Sequence, residues 1–450
     1  MTRRLEAQLA SVNDHTERAA ELGCAHADML RRSGLSPATL DEVQTALRRQ
    51  MLWVEKRVRE LRRRKAGRSK RIKDRVRREP LLADLARRHR DLVKQLEGAL
   101  QLQRAVLRQT ADSYAWLALG EDPLVILPLY VRQTHQLPQG LGLGAPAELA
   151  RRFHAVGTLF AVENDLTRCL GVGDLTVVFA HRPWRNPLVL EVKASGEWKE
   201  GGIAEIGIMT AHSDAPEDVA LYDEVSRIIG EQVTPQRVHR LERQDQIDRV
   251  LSHTRYLASI AGGAGPRLPG PSARVWRTLQ SVTLRALADG ASYDLSEPGV
   301  AFLALGLHDA DPEQRLREAA AGLAFIGFGS DSAPATLADF LREDEWAAVV
   351  PPIPLWPISR SARVGLMTGR VYFAAVVKPD LWQNAMQAEG LRLEEDGNGG
   401  WRLVGMSGEI HLDTIEVHKL SLGVAFAGIS PRDVARRVAE FLARKSGDEK

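Results

Sequence analysis

A chain of 450 residues, 44% hydrophobic and 26% charged, is longer than one ordinary core can organise and predicts a multidomain soluble protein. No apolar run approaches the roughly 20 residues of a membrane helix, and the N-terminal MTRRLEAQLASVNDH lacks the apolar segment of a secretory signal, so a cytoplasmic protein without a membrane partner is expected. The net charge of +3 hides an uneven distribution, and Cys24 and Cys169 stand too far apart for a disulfide framework or a zinc knuckle.

Residues 1–118 are expected to form a basic, coiled-coil-like helical arm. Between Arg48 and Arg90 there are 19 Lys or Arg against 5 Asp or Glu. Leu47, Met51, Val54, Val58 and Leu61 recur at steps of four and three, the seam of a helix packed lengthwise on a partner. A second seam runs through Leu82, Leu85, His89, Leu92, Leu96, Ala99, Gln103 and Val106. Two long helices folded back as an antiparallel hairpin account for both, and a dimeric coiled coil is the alternative. The cationic surplus, with Arg62, Arg63, Arg64 and Lys65 at its centre, suits contact with nucleic-acid phosphates, although such runs also serve simply as solvated faces.

Residues 119–145 read as a connector. Gly140, Gly142 and Gly144 do not follow an apolar strand, so a dinucleotide loop is not expected, and Pro146 is taken to open a helix over 146–164. Three strands follow, DLTVVFA, PLVLEVKAS and GGIAEIGIMTA, then a helix PEDVALYDEVSRIIG closed by Gly230. The loop HRPWRNP between the first two strands carries Arg182, Trp184 and Arg185, a mixture suited to phosphate contact and base stacking. Arg237, Arg240 and Arg243 fall on one face of a later helix, which suits tracking a phosphate backbone or facing solvent. The stretch GGAGPRLPGPS opens a Gly/Pro linker over 262–275, separating this 146–261 region from a C-terminal α+β domain at 276–450 of unknown role. That domain is expected to hold a helix RVWRTLQSVTLRALADG, a strand-like VGLMTGRVYFAAVV, a hairpin through EEDGNGGWRLVG and a last helix capped by Ser430 and Pro431.

Charges inside GDLTVVFAHRPWRNPLVLEVKAS require a reason, because an unpaired charge in a buried strand costs several kcal/mol. Alternation along a strand puts Glu191 and Lys193 on one side and Val192 on the other. If adjacent strands bring Asp174 beside Glu191, the two carboxylates and the Val192 carbonyl form an oxygen site for one hard cation. A cation so held lowers the pKa of a bound water, and Lys193 is placed to steady charge growing on a phosphate. A solvated ion pair on an edge strand is the plainer alternative.

Gly173-Asp174, an apolar strand, a turn, and a second apolar strand ending in Glu191-Val192-Lys193 resemble the PD-(D/E)XK nuclease superfamily, the restriction-endonuclease-like fold. Gly173 replaces the motif's proline. The resemblance covers about 146–260 and implies an αβββαβ core, Mg²⁺ (or Mn²⁺) on Asp174 and Glu191, Lys193 assisting the attacking water, and hydrolysis of DNA or RNA as an endonuclease. Many members also carry an acidic residue on the helix before the first strand, for which Glu163 is the candidate. Fusion of this fold to unrelated modules resembles bacterial restriction and anti-phage defence effectors. The alternative expectation is a non-catalytic nucleic-acid-binding or scaffold protein using the basic arm, with an inactive nuclease-like fold; on either reading the arm and the C-terminal domain are the candidate surfaces for a second copy or a partner protein.

Overall fold

The computed structural model describes residues 2–78, 83–121, 123–126, 129–130, 137, 141–171, 173–181, 187–194, 203–209, 216–230, 273–297, 300–306, 335–336, 351–377, 379–395, 401–405, 408–412 and 435–436, with only the backbone described for some of these, including 64, 66–78, 193–194 and 203–209. Tertiary contacts divide the chain into two units, residues 1–265 with 344–356, and residues 266–343 with 357–450. The division at 265/266 falls inside the Gly/Pro stretch. The helical segment and the sheet share one unit, however, and 344–356, assigned from the sequence to the C-terminal domain, belongs to it too. Two hydrogen bonds anchor that segment: the Ile353 N–H donates to Gln109 Oε1 at 3.1 Å, and Arg31 donates to the Leu355 carbonyl.

Three long helices begin the first unit, α1 (Thr2–Ser33), α2 (Pro37–Arg78) and α3 (Ala83–Ala118), where the sequence predicted two. Gly34, at φ +83°, ends α1, and the Ser36 hydroxyl caps α2 by accepting the Thr39 N–H at 3.1 Å, with Pro37 at the first helical position. The seam Leu47, Met51, Val54, Val58, Leu61 is buried as expected. On α3 the predicted seam is buried at His89, Leu96, Gln103 and Val106 and half-buried at Leu92 and Ala99, while Leu85 is exposed and Leu82 lies outside the described residues; Val93, Leu100 and Leu107 widen the buried face. The face of α1 that packs on α3 is made of small residues, Thr16, Ala20, Cys24 and Ala27. A Cβ on Gly23 would lie 2.6 Å from the Thr110 hydroxyl, which shows how closely the two helices approach.

After a single turn α4 (Pro123–Ile126), helix α5 (Leu141–Val156) leads into an antiparallel sheet of β1 (Leu159–Glu163), β2 (Leu175–Phe179), β3 (Leu188–Ala194) and β4 (Ile203–Met209), paired in sequence order, and then α6 (Pro216–Gly230). The expected helix over 146–164 is therefore corrected. Gly157, at φ +80°, stops α5, and Leu159–Glu163 is a strand because both of its faces are buried. Leu159 and Ala161 join Leu175, Val177, Leu190 and Val192 in a core under α5 and α6. Phe160, Val162, Val178 and Val189 join the core of the long helices. The sheet is thus covered on both sides, which is why β1 and β2 read as continuous apolar runs.

In the second unit, α7 (Ala273–Asp289) accompanies a sheet of order β5 (Ala291–Glu297), β6 (Val300–Gly306), β8 (Val371–Val377), β7 (Ala335–Thr336). The strand-like VGLM is instead the end of helix α8 (Arg360–Met367), capped by Ser359, and the strand resumes at Val371 beyond Gly369 at φ +69°. Helix α9 (Pro379–Ala388) precedes a meander of β9 (Arg392–Glu395), β10 (Trp401–Gly405) and β11 (Gly408–Leu412), whose first pair is the expected hairpin. The helix at Ser430 lies outside the described residues, apart from 435–436. The described chain is therefore α+β, helices with antiparallel sheets, and no described helix is long and apolar enough to cross a membrane. Cys24 and Cys169 are buried and form no disulfide.

Candidate functional site

The pairing Leu175↔Leu190, Thr176↔Val189, Val177↔Leu188 ends at Leu175, and Asp174 lies just before it, beside residues 190–192 of β3. Asp174 brackets Glu191: its N–H donates to the Leu190 carbonyl at 2.8 Å, and its Oδ2 accepts the Val192 N–H at 2.5 Å. In an antiparallel strand the N–H and C=O of one residue point to the same side, so the Val192 carbonyl faces the Asp174 side. The structure thus sets Asp174 against the backbone of Val192 and close enough to Glu191 for the charge of one to bear on the other. The backbone of Lys193 is on the same strand, paired with Glu205, while its side chain lies outside the described residues.

Sequence reasoning missed Asp165, in the turn Asn164–Leu166 that follows β1. Burial pushes its carboxyl up to about 6, partly offset by the Arg108 guanidinium and reinforced by Glu191. Asp174 is pushed up to about 7, first by burial, against the Val192 N–H, and then by the charges of Glu191 and Asp165. Neither Asp174 nor Glu191 is in an ion pair among the described residues. No family model, no curated protein and no solved structure matches the chain. What the site can do must therefore be read from its own atoms.

Glu163 is corrected on two counts. It ends β1 rather than lying on a helix, and it is buried with its carboxylate bound by the Arg48 guanidinium, Nε at 2.9 Å from Oε2 and Nη2 on Oε1. Gln44, one turn earlier on α2, completes the edge of β1 by donating to the Ala161 carbonyl at 3.0 Å and accepting the Glu163 N–H at 2.8 Å. His154 accepts the Ala161 N–H on Nε2 at 3.0 Å, so Nδ1 carries the proton and faces Asp41 at 3.3 Å. Glu163 is thus part of a side-chain seal along the open strand, not a third ligand.

The loop between β1 and β2 is fixed from α3. The fully buried Asp112 accepts the N–H groups of Arg168 at 2.6 Å and Cys169 at 3.2 Å, and the Arg168 Nε at 2.9 Å. Arg108 donates to the Thr167 carbonyl at 2.8 Å. Asn164 holds the far end, donating to the Gly173 carbonyl at 3.3 Å and accepting the Thr176 hydroxyl at 2.9 Å. Asp165 and Asp174 therefore sit at the two ends of a loop that buried side chains hold through the backbone groups of Thr167, Arg168, Cys169 and Gly173. A lone polar Asn-Asp pair following LFAVE was the available signal for Asp165, whereas nothing local points to Arg108 or Asp112.

A hard cation asks for oxygen ligands with net negative charge, and Asp174, Glu191 and the Val192 carbonyl are such a set. Among the described residues no group of three or more His, Cys, Asp or Glu side chains converges closely enough to hold a metal by side chains alone, so Asp165 acts on the pair by charge and not as a ligand. Of the nucleic-acid candidates, Arg62 and Lys65 both reach Glu97 of α3, at 3.1 and 3.2 Å, and stay half-exposed, and Arg63 is exposed. The side chain of Arg64, and Arg182, Trp184, Arg185, Arg237, Arg240 and Arg243 altogether, lie outside the described residues.

Proposed function

We propose that the chain is a Mg²⁺- or Mn²⁺-dependent nuclease that hydrolyses phosphodiester bonds, with DNA the favoured substrate, and that its role is that of a restriction or anti-phage effector of the PD-(D/E)XK type. The observation that carries the reading is the closeness of two carboxylates, Asp174 bound to the Val192 N–H and within reach of the charge of Glu191, with no ion pair to either among the described residues. Asp174, Glu191 and the Val192 carbonyl would hold the ion, which when bound supplies an acidified water and neutralises phosphate charge. Asp174 must give up its proton to serve as ligand, and the Val192 N–H keeps its carboxylate oriented while it does so. Lys193, two positions past Glu191, supplies the cation that steadies charge on the phosphate oxygens. Arg62, Arg63 and Lys65 offer phosphate contacts of the sequence-independent kind.

The competing reading, a nucleic-acid-binding protein with an inactive nuclease-like fold, is favoured by the absence of a third acidic ligand among the described residues. Incubation of the purified chain with supercoiled plasmid, linear DNA and RNA, with and without Mg²⁺ or Mn²⁺, separates the two. Metal-dependent cleavage of any of the three is the expected result. Binding without cleavage under every condition would reject the enzyme.

A further inference from the structure

Away from the carboxylate pair, α1, α2 and α3 line a half-open cavity of about 270 Å³ that the nuclease reading does not use. We propose that this cavity binds one nucleotide, a planar heteroaromatic base with a phosphate, taken either from a free mononucleotide or from a single strand.

The shape and the lining each point to that chemistry. Val12, Leu61, Leu96 and Leu100 are buried and make an apolar base. Trp53 also lines the cavity yet is 41% exposed, so a large aromatic surface is kept at its solvent end instead of being folded into the core. The Arg57 guanidinium lies 5.3 Å from the Trp53 ring centroid, and His15 stacks on the same indole at 6.3 Å with the planes 25° apart. Flat cationic and aromatic groups gathered in this way are the surfaces on which bases stack. Gln8 and Ser11 add hydrogen-bonding groups beside the apolar base, as the polar edge of a heterocycle needs and an aliphatic chain does not. The charge favours an anion: Arg4 and Arg57 line the cavity against a single acid, Glu60, which is 3.3 Å from Arg57. The volume falls just short of the about 300 Å³ at which small-molecule sites begin, so it suits at most one nucleotide and not a dinucleotide cofactor.

The site is independent of phosphodiester cleavage and is tested without it. Adenosine and guanosine monophosphates, the matching nucleosides, inorganic phosphate and a short single-stranded DNA are titrated into the full chain by calorimetry in the presence of a chelator. Trp53→Ala, Trp53→Phe and the double variant Arg4→Ala/Arg57→Ala are run beside it, with far-UV circular dichroism confirming that each is folded. Trp53→Ala should weaken nucleotide binding by about tenfold or more, as loss of a stacking partner does, and Trp53→Phe should restore most of it. The double arginine variant should bind nucleotide no more tightly than nucleoside. Binding of the monophosphates identifies a free ligand, and binding of the oligonucleotide alone identifies a strand-derived base; either, with the variant pattern, supports the proposal. No binding by any probe, or equal binding by wild type and Trp53→Ala, overturns it.

Discussion

Replacing Asp174 by Asn removes a charge while keeping an oxygen to accept the Val192 N–H, so the effect isolates what the carboxylate costs the metal-free fold. Burial, with Glu191 and Asp165 nearby, raises Asp174 from 3.8 to about 7. A gap of about 3.2, at about 1.4 kcal/mol for each pKa unit, sets an upper limit of about 4 kcal/mol. Asp174 keeps partial contact with solvent, and screening reduces this to on the order of 1–2 kcal/mol. The sign follows from the raised folded value: the folded chain holds its proton where the unfolded chain has lost it. Stability from this group is therefore greatest below about pH 4, falls as pH rises toward 7, and is at its lowest above that. Asp174→Asn should melt about 2–8 °C higher than wild type at pH 8 in chelator, given about 2–4 °C per kcal/mol for a unit of this size, with a smaller gain at pH 5. A lower melting temperature at pH 8, or a gain equal at both pH values, would refute this account of the carboxylate.

Glu163→Gln leaves the partly exposed Arg48 against a neutral partner and should cost about 1–3 kcal/mol in denaturant unfolding while leaving divalent-cation binding intact; a lost cation site with unchanged stability would return Glu163 to the ligand set. Gly23→Ala should cost about 1–3 kcal/mol because its Cβ meets the Thr110 hydroxyl, and Thr110→Ala should recover part of that in the double variant. Burial lowers the His154 pKa against the opposing pull of Asp41, so its neutral form is favoured in the fold. Its contribution is present above the ordinary value of 6.5 and is lost as pH falls below it, and His154→Gln, which can still accept the Ala161 N–H, should flatten the pH dependence of stability in that window.

The parts of the fold legible in the sequence were those that one local periodicity determines. The α2 seam from Leu47 to Leu61 and the strands holding Asp174 and Glu191 stand where spacing and apolar runs put them. α1 was not legible as a packed helix because its contact face is Thr16, Ala20, Gly23 and Ala27, whose small size permits close approach but gives little hydrophobic signal. β1 was read as helix because LFAV continues the apolar character of α5, and only Gly157 marks the change. Within the site, the closeness of Asp174 to the Glu191 segment follows from strand order alone. The fate of Glu163 does not, since Arg48 lies 115 residues away in sequence and meets it only when α2 closes the edge of the sheet.

Cleavage of supercoiled plasmid in Mg²⁺ by wild type, Asp174→Ala and Glu191→Ala, each shown to be folded, tests the central claim most directly. Wild type should nick or linearise the plasmid and lose that activity in chelator, while each variant should fall by about a hundredfold or more, because two anionic ligands become one. Cleavage by both variants at the wild-type rate would contradict the assignment of the site to Asp174 and Glu191.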